Sequence, residues 1–223
     1  MTFKMKERYL SHKLAASLAA LGTATVGPSL AQADEPEGPV AHGAIEVMAG
    51  QDSGTLDAKV LVFDGDLTVL SRNRVTETYQ EGSVGSFSVN SVTYGLGEGL
   101  AAFGEVDAAP GAGLMPRAGM QHFYAGNGFS VFNLLSIPMD GRDLDVLHIG
   151  KVTYLVPLGE DAGLAAAAET LTSVNGEGLG FATQRLRLGA QSGNYQIGAA
   201  ADLSETSAGD PSANVGVYGS VAF

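Results

Sequence analysis

The 223-residue sequence contains no cysteine and no tryptophan. The first absence excludes disulfide staples, thiolate metal ligands and a cysteine nucleophile. The second means that any aromatic belt at a membrane surface must be built from tyrosine and phenylalanine. Basic residues are scarce: 12 Lys and Arg stand against 24 Asp and Glu, a formal net charge of −12. Such a chain lacks the cationic surface that neutralises phosphates, so nucleic acid is excluded as a partner. Long hydrophobic runs are missing as well. The apolar run from Leu14 to Val26 is broken at Gly22 and followed by Pro28. It is shorter than the roughly 20 residues of a spanning helix. No later stretch is long enough either, so a place in a membrane requires a closed barrel, since lipid tolerates no unpaired strand edge.

What is present at the start is an export address. Lys4, Lys6, Arg8 and Lys13 precede the apolar run, and Ala31-Gln32-Ala33 forms a small-x-small site directly before Asp34-Glu35. This layout predicts a secretory signal peptide over residues 1–33, cleaved to leave a mature domain of residues 34–223. An uncleaved membrane anchor is the alternative, and Gly22 and Pro28 argue against it. The predicted signal holds four of the twelve Lys and Arg, so the mature chain is more acidic than the whole.

From Gly43 onward a single pattern repeats: a strand-like run, then Gly, Asp, Asn or Pro, then another run. About twelve runs emerge: Gly43–Gly50, Thr55–Phe63, Leu67–Tyr79, Ser86–Leu96, Leu100–Ala108, Arg117–Ala125, Phe129–Ile137, Leu144–Leu158, Leu164–Val174, Leu179–Gln191, Asn194–Leu203 and Asn214–Phe223. Eight or ten strands are the alternative if the weaker runs are loops. Leu164–Val174 is alanine-rich enough for a helix, but its short spacing to its neighbours fits a hairpin, and a strand is expected. Connections alternate between a tight set, such as Asp64-Gly65-Asp66 and Gly126-Asn127-Gly128, and a set that is longer on average, such as Gln80–Gly85 and Ser204–Ala213. Tight turns on the side of the termini and longer loops opposite are the layout of an even-stranded outer-membrane barrel. None of the longer set is long enough for a large plug.

The last run fixes the class. Phe223, Val221, Gly219, Val217 and Val215 fall on one face, and Ala222, Ser220, Tyr218, Gly216 and Asn214 on the other. This terminal strand, ending on Phe, resembles the closing strand of bacterial outer-membrane β-barrels, whose insertion signal ends in Phe with apolar residues at alternate positions before it. The resemblance implies an all-β, antiparallel up-and-down transmembrane barrel of about twelve strands in the outer membrane. Its partners would be outer-membrane lipid and the barrel-assembly machinery, which reads Phe223, Val221, Gly219 and Val217.

Charge is sorted by face in the same way. Arg72 and Arg74, Arg185 and Arg187, Glu105 and Asp107, and Asp57 and Lys59 each share a strand face opposite apolar residues. On this basis Lys59, Arg72, Arg74, Lys151, Arg185 and Arg187 face one lumen with Glu46, Asp57, Glu105, Asp107, Asp145, Glu169 and Asp202. Exceptions are Asn73 and Glu77 on an apolar face, His148 pointing outward, and Ser86–Leu96 and Phe129–Ile137, which do not alternate cleanly. The aromatic girdle is expected from Tyr94, Phe123, Tyr124, Phe129, Tyr154, Tyr195 and Phe223.

Two readings of the interior stay open: a polar pore selecting a small polar or anionic solute, or a narrow barrel filled by its own ion pairs. Guanidinium pairs suit carboxylate or phosphate solutes. No cofactor or metal is expected, and the acidic stretch Asp140–Asp145 departs from a calcium loop at Arg142. Two rival classes are a soluble secreted or periplasmic β-barrel binding a ligand, and a lipid-modifying outer-membrane enzyme. The second would need His122 beside Ser130, Ser136, Ser91 or Asn133 in a triad-like arrangement. No motif ties them together, and a passive, non-enzymatic barrel is the expectation.

Overall fold

The computed structural model describes residues 39–111, 113–141, 143–159, 162–207 and 209–223. The predicted signal peptide lies outside these. Twelve strands follow in chain order: β1 (Val40–Gly50), β2 (Ser53–Asp64), β3 (Leu67–Thr78), β4 (Ser83–Gly97), β5 (Leu100–Ala109), β6 (Gly113–Gly126), β7 (Phe129–Pro138), β8 (Asp145–Pro157), β9 (Ala162–Asn175), β10 (Gly178–Ser192), β11 (Tyr195–Thr206) and β12 (Gly209–Ala222). Each pairs antiparallel with its chain neighbours, and β1 pairs with β12 to close the barrel. The alanine-rich run forms β9, because its small residues satisfy the pairing of β8 and β10 on either side.

The strands are tilted, and the register shows it. From Glu46 in the middle of β1, directly opposed residues run through Ser220, Gln196, Gln191 and Gly163 to Pro157 at the end of β8. A horizontal row would meet mid-strand residues throughout. Closing a sheet without edges requires this tilt and stagger.

The faces fall as the alternation predicts. Leu56, Val60, Val69, Val92, Leu135, Val152, Leu186, Leu188, Ile197, Val215 and Val217 point outward, exposed. Among the outward groups are also Phe223 and His148, while Arg72, Arg74, Lys59 and Lys151 point inward. A soluble protein keeps contiguous apolar patches small, whereas a bilayer demands this band. Tyr94, Tyr124, Phe129, Tyr154, Tyr195 and Phe223 stand outward at the rim that carries the termini and tight turns, forming a tryptophan-free girdle. Phe123 is a correction: it shares a face with Arg117 and Gln121 and is buried inside, leaving Tyr124 as the outward ring.

The two rims differ less in loop length than the sequence suggests. Opposite the termini, residues 51–52, 176–177 and 207–208 are bare two-residue connections. Pairing continues into segments that read as loop: Ser204 opposes Ser212 and Thr206 opposes Gly209. The longest connection, 139–144, spans six residues, too short to fold into the lumen as a plug.

The wall bends sharply where inward positions lack a Cβ. Gly189 and Gly198 oppose each other across β10 and β11. A Cβ on Gly198 would lie 2.1 Å from the Leu188 carbonyl oxygen. Glycine kinks of this kind set the curvature of a barrel wall. Gly198→Ala is therefore expected to lower the yield of refolded, heat-modifiable barrel and its urea midpoint. The same substitution at Gly104, which has open space around it, should leave both unchanged.

Candidate functional site: a divided lumen

Each inward residue owes its place to strand parity, and the structure brings the predicted charges into two groups. The larger is a belt across the middle. Arg72 donates to Asp57 from Nε at 3.0 Å, and Arg74 to Asp202 at 3.1 Å. Arg185 is the hub: it donates to Glu46 at 2.8 Å, Glu169 at 3.2 Å and Asp57 at 3.3 Å. Arg187 donates to Asp202 at 2.7 Å and Glu46 at 3.0 Å, with its guanidinium 5.7 Å from the Tyr218 ring centre.

These bonds cross the lumen and do not merely follow the wall. Asp57 on β2 and Arg185 on β10 are four strands apart around the ring, as are Arg74 on β3 and Asp202 on β11. Arg72 on β3 and Glu169 on β9 lie 3.6 Å apart from opposite sides of the barrel. The belt therefore divides the interior. Behind it, against β10 to β12 and β1, Met48, Ala200 and Tyr218 pack together and fill the space, with Tyr218 donating to Gln196 at 3.0 Å. In front of it lies a cavity of about 180 Å³, walled mainly by β2 to β8 with Leu171, Thr183 and Arg185 closing it on the belt side. Its lining extends from Phe63 and Thr68 at the turn-side ends of β2 and β3 to Phe87 and Leu147 towards the loop-side ends of β4 and β8. Ion pairs thus fill one side of the interior, and a small cavity remains on the other.

Within the belt the charges do not balance. Four arginines meet four carboxylates, Glu46, Asp57, Glu169 and Asp202, and Lys59 and Lys151 are left over. Neither lysine makes a hydrogen bond or ion pair among the described residues. The register explains why. Lys59 is flanked by Ala44 and Arg72, so no carboxylate opposes it. Lys151 does oppose Glu169, but that carboxylate is turned to Arg185 and Arg72. Both lysines line the main cavity and also a smaller void of about 30 Å³ beside Glu169, Arg185 and Arg187. They stand where the two spaces meet.

The second group lies towards the loop rim and is centred on Arg117, which the sequence reading did not place in the lumen. Its Nη1 donates to Asp145 at 2.9 Å and its Nε to Ser136 at 2.9 Å, while Ser136 donates to Glu105 at 3.1 Å. Ser173 also donates to Asp145. Asp107 is buried nearby in the cavity wall, with Oδ1 unpartnered among the described residues. The signal for Arg117 was available in the alternation Met115, Arg117, Gly119, Gln121, Phe123. Pro116 made the strand seem to begin only at Arg117.

The remaining wall is mainly apolar, with Thr68, Ser91, Thr93, Gln121 and Thr183 set into it. Phe87, Val89, Phe123, Phe132, Leu134, Leu147, Ile149 and Leu171 face the cavity. This accounts for the poor alternation in the sequence of β4 and β7. In β7, Phe129, Asn133, Leu135 and Ile137 face out and Ser130, Phe132, Leu134 and Ser136 face in, with apolar residues on both sides. Of the residues named for a triad-like arrangement, His122 points outward and opposes Asn133 in the β6–β7 register, whereas Ser91, Ser130 and Ser136 point into the lumen, with Ser136 committed to Arg117 and Glu105.

No protein-family model matches the sequence, and no curated protein sequence matches it either. Solved structures do. The KdgM porin in complex with disordered oligogalacturonate superposes with a TM-score of 0.51 at 11% identity, covering 82% of this chain and 99% of that one. The KdgM porin alone gives the same values of 0.51 and 11% over 82% and 99% of the two chains. A bacterial polysaccharide outer membrane secretin follows at a TM-score of 0.43 and 10% identity, over 82% of this chain and 98% of that one. The likeness to the KdgM porin is one of fold: this chain is a closed, twelve-stranded antiparallel barrel of the outer-membrane type.

Proposed function

We propose that the protein is a passive outer-membrane channel, exported with a cleaved signal peptide over residues 1–33 and inserted by the barrel-assembly machinery through its Phe223-terminated strand. It carries out no chemistry of its own and needs no cofactor. The observation that carries this reading is the cavity of about 180 Å³ in front of the belt, whose lining runs from the turn-side ends of β2 and β3 towards the loop-side ends of β4 and β8. A purely structural barrel of this size gains stability by packing its interior, since each unfilled region forfeits dispersion contacts. The continuous apolar exterior, with its girdle of Tyr94, Tyr124, Phe129, Tyr154, Tyr195 and Phe223, favours the bilayer over the soluble ligand-binding alternative. Arg72, Arg74, Arg185 and Arg187 shape the constriction from one side, Glu105, Asp107 and Asp202 contribute its acidic groups, and Lys59 and Lys151 add two cations that make no ion pair among the described residues.

The location is tested by fractionating cells that express the full chain and running unheated and boiled samples side by side in SDS. The expected result is a band in the outer-membrane fraction whose mobility shifts on boiling, at the size left after loss of residues 1–33. A soluble periplasmic band without a shift would overturn the membrane reading and return the cavity to the soluble alternative.

A further inference from the structure

The cavity in front of the belt has two chemically different walls in contact with each other. Lys151 directly opposes Phe132 in the β7–β8 register, and Ile149, two residues along the same strand face, opposes Leu134 on one side and Leu171 on the other. All line the same cavity as Lys59. Two cations that make no ion pair among the described residues, with Glu169 the nearest shared carboxylate, therefore border a patch of aromatic and branched apolar side chains. A channel that only filters water and inorganic ions by charge has no use for such a patch, because an apolar wall offers nothing to a hydrated ion. An unpaired lysine in a confined lumen is costly unless an anion approaches it. The acidic residues Glu105 and Asp107 lie elsewhere on the cavity wall, and they repel a second negative charge.

We propose that the lumen binds a monoanion with an apolar body, of the alkyl carboxylate class, its charged end between Lys59 and Lys151 and its tail against Phe132, Leu134, Ile149 and Leu171. This rests on the channel reading only for delivery of the solute, since the site is defined by equilibrium binding. A carboxylate here gains charge-assisted hydrogen bonds from the lysines, and each methylene removed from water contributes about 0.8 kcal/mol. Short hydrophilic anions gain only the first. Neutral alcohols gain only the second.

The test is equilibrium dialysis of radiolabelled hexanoate against the barrel in nanodiscs, with empty nanodiscs as the blank for lipid partition. Acetate and hexan-1-ol serve as competitors. Saturable hexanoate binding is expected, displaced poorly by either competitor. In K59M/K151M it should weaken by about tenfold or more, as loss of a charge-assisted contact implies. In L134S/I149S hexanoate should weaken while any residual acetate binding is unaffected. Neither lysine holds another side chain in place, so K59M/K151M is expected to fold, and its heat-modifiability verifies that. Hexanoate binding no better than acetate, or unchanged in K59M/K151M, would overturn the proposal. Conductance recorded on the same preparation separates the two claims. Conduction without hexanoate binding removes the site and leaves the channel, whereas binding without conduction removes the channel and leaves the site.

Discussion

Arg185→Met is expected to destabilise the barrel by about 3 kcal/mol, the lower end of what removal of one member of a buried ion network costs. Arg185 is only 7% exposed, and its guanidinium reaches Glu46, Asp57 and Glu169 at once. Methionine fills much of the same space but leaves three carboxylates short of a donor. Each keeps a second partner, Arg187 for Glu46 and Arg72 for Asp57 and Glu169, and this places the cost at the lower end. The belt should also loosen, because Arg185 ties β10 to β1 and β2 across the interior. The check is a urea titration of the folded barrel in lipid, read by the heat-modifiable band, together with single-channel conductance. A lowered midpoint with raised conductance is expected. An unchanged midpoint would mean that the belt is a chain of independent surface-like pairs, each worth little.

One residue along, the preference for arginine reverses. Leu186→Arg is expected to destabilise by roughly 2–4 kcal/mol, the cost of an arginine at mid-membrane on the lipid face of a barrel. Leu186 is in the middle of β10, points outward and is 46% exposed. At 185 an arginine is needed and at 186 one is excluded, because the two side chains face different solvents. In a soluble barrel Leu186→Arg would be neutral or would improve solubility, since exposed surface substitutions usually change stability by under about 0.5 kcal/mol. The same urea titration decides it. A midpoint equal to that of the unsubstituted chain would argue that the exterior does not meet lipid.

These two positions also show what the sequence makes legible. Arg185, Arg187, Arg72 and Arg74 alternate with apolar or small residues, so parity alone assigns them to one face, and the structure agrees. The same holds for Lys59, Lys151, Glu105, Asp107 and Asp202, and for the outward set Phe223, Val221, Gly219 and Val217. Parity says nothing about rotation around the barrel. Arg74 and Asp202 are 128 residues apart in sequence, and their meeting depends on strand number, tilt and the curvature of the wall. The division of the lumen was illegible for that reason.

The apolar wall was illegible for a different one. Where the interior is itself hydrophobic, as along Phe132 and Leu134 in β7, both faces of a strand look alike and the period-two signal vanishes. The irregular runs in the sequence were therefore the part of the barrel that lines the cavity. Loop lengths mislead in a third way, because polar segments such as the one from Ser204 to Ala213 continue as paired strand on either side of their turn, with Ser204 opposite Ser212 and Thr206 opposite Gly209.

The central claim, a conducting lumen beside the belt in which Lys59 and Lys151 offer cations not engaged in ion pairs, is tested most directly by the reversal potential of the refolded barrel in a planar bilayer under a potassium chloride gradient. Discrete conductance steps with preference for chloride are predicted, and the preference should fall in K59M/K151M. A folded, heat-modifiable barrel that shows no steps, or one that prefers potassium, would contradict it.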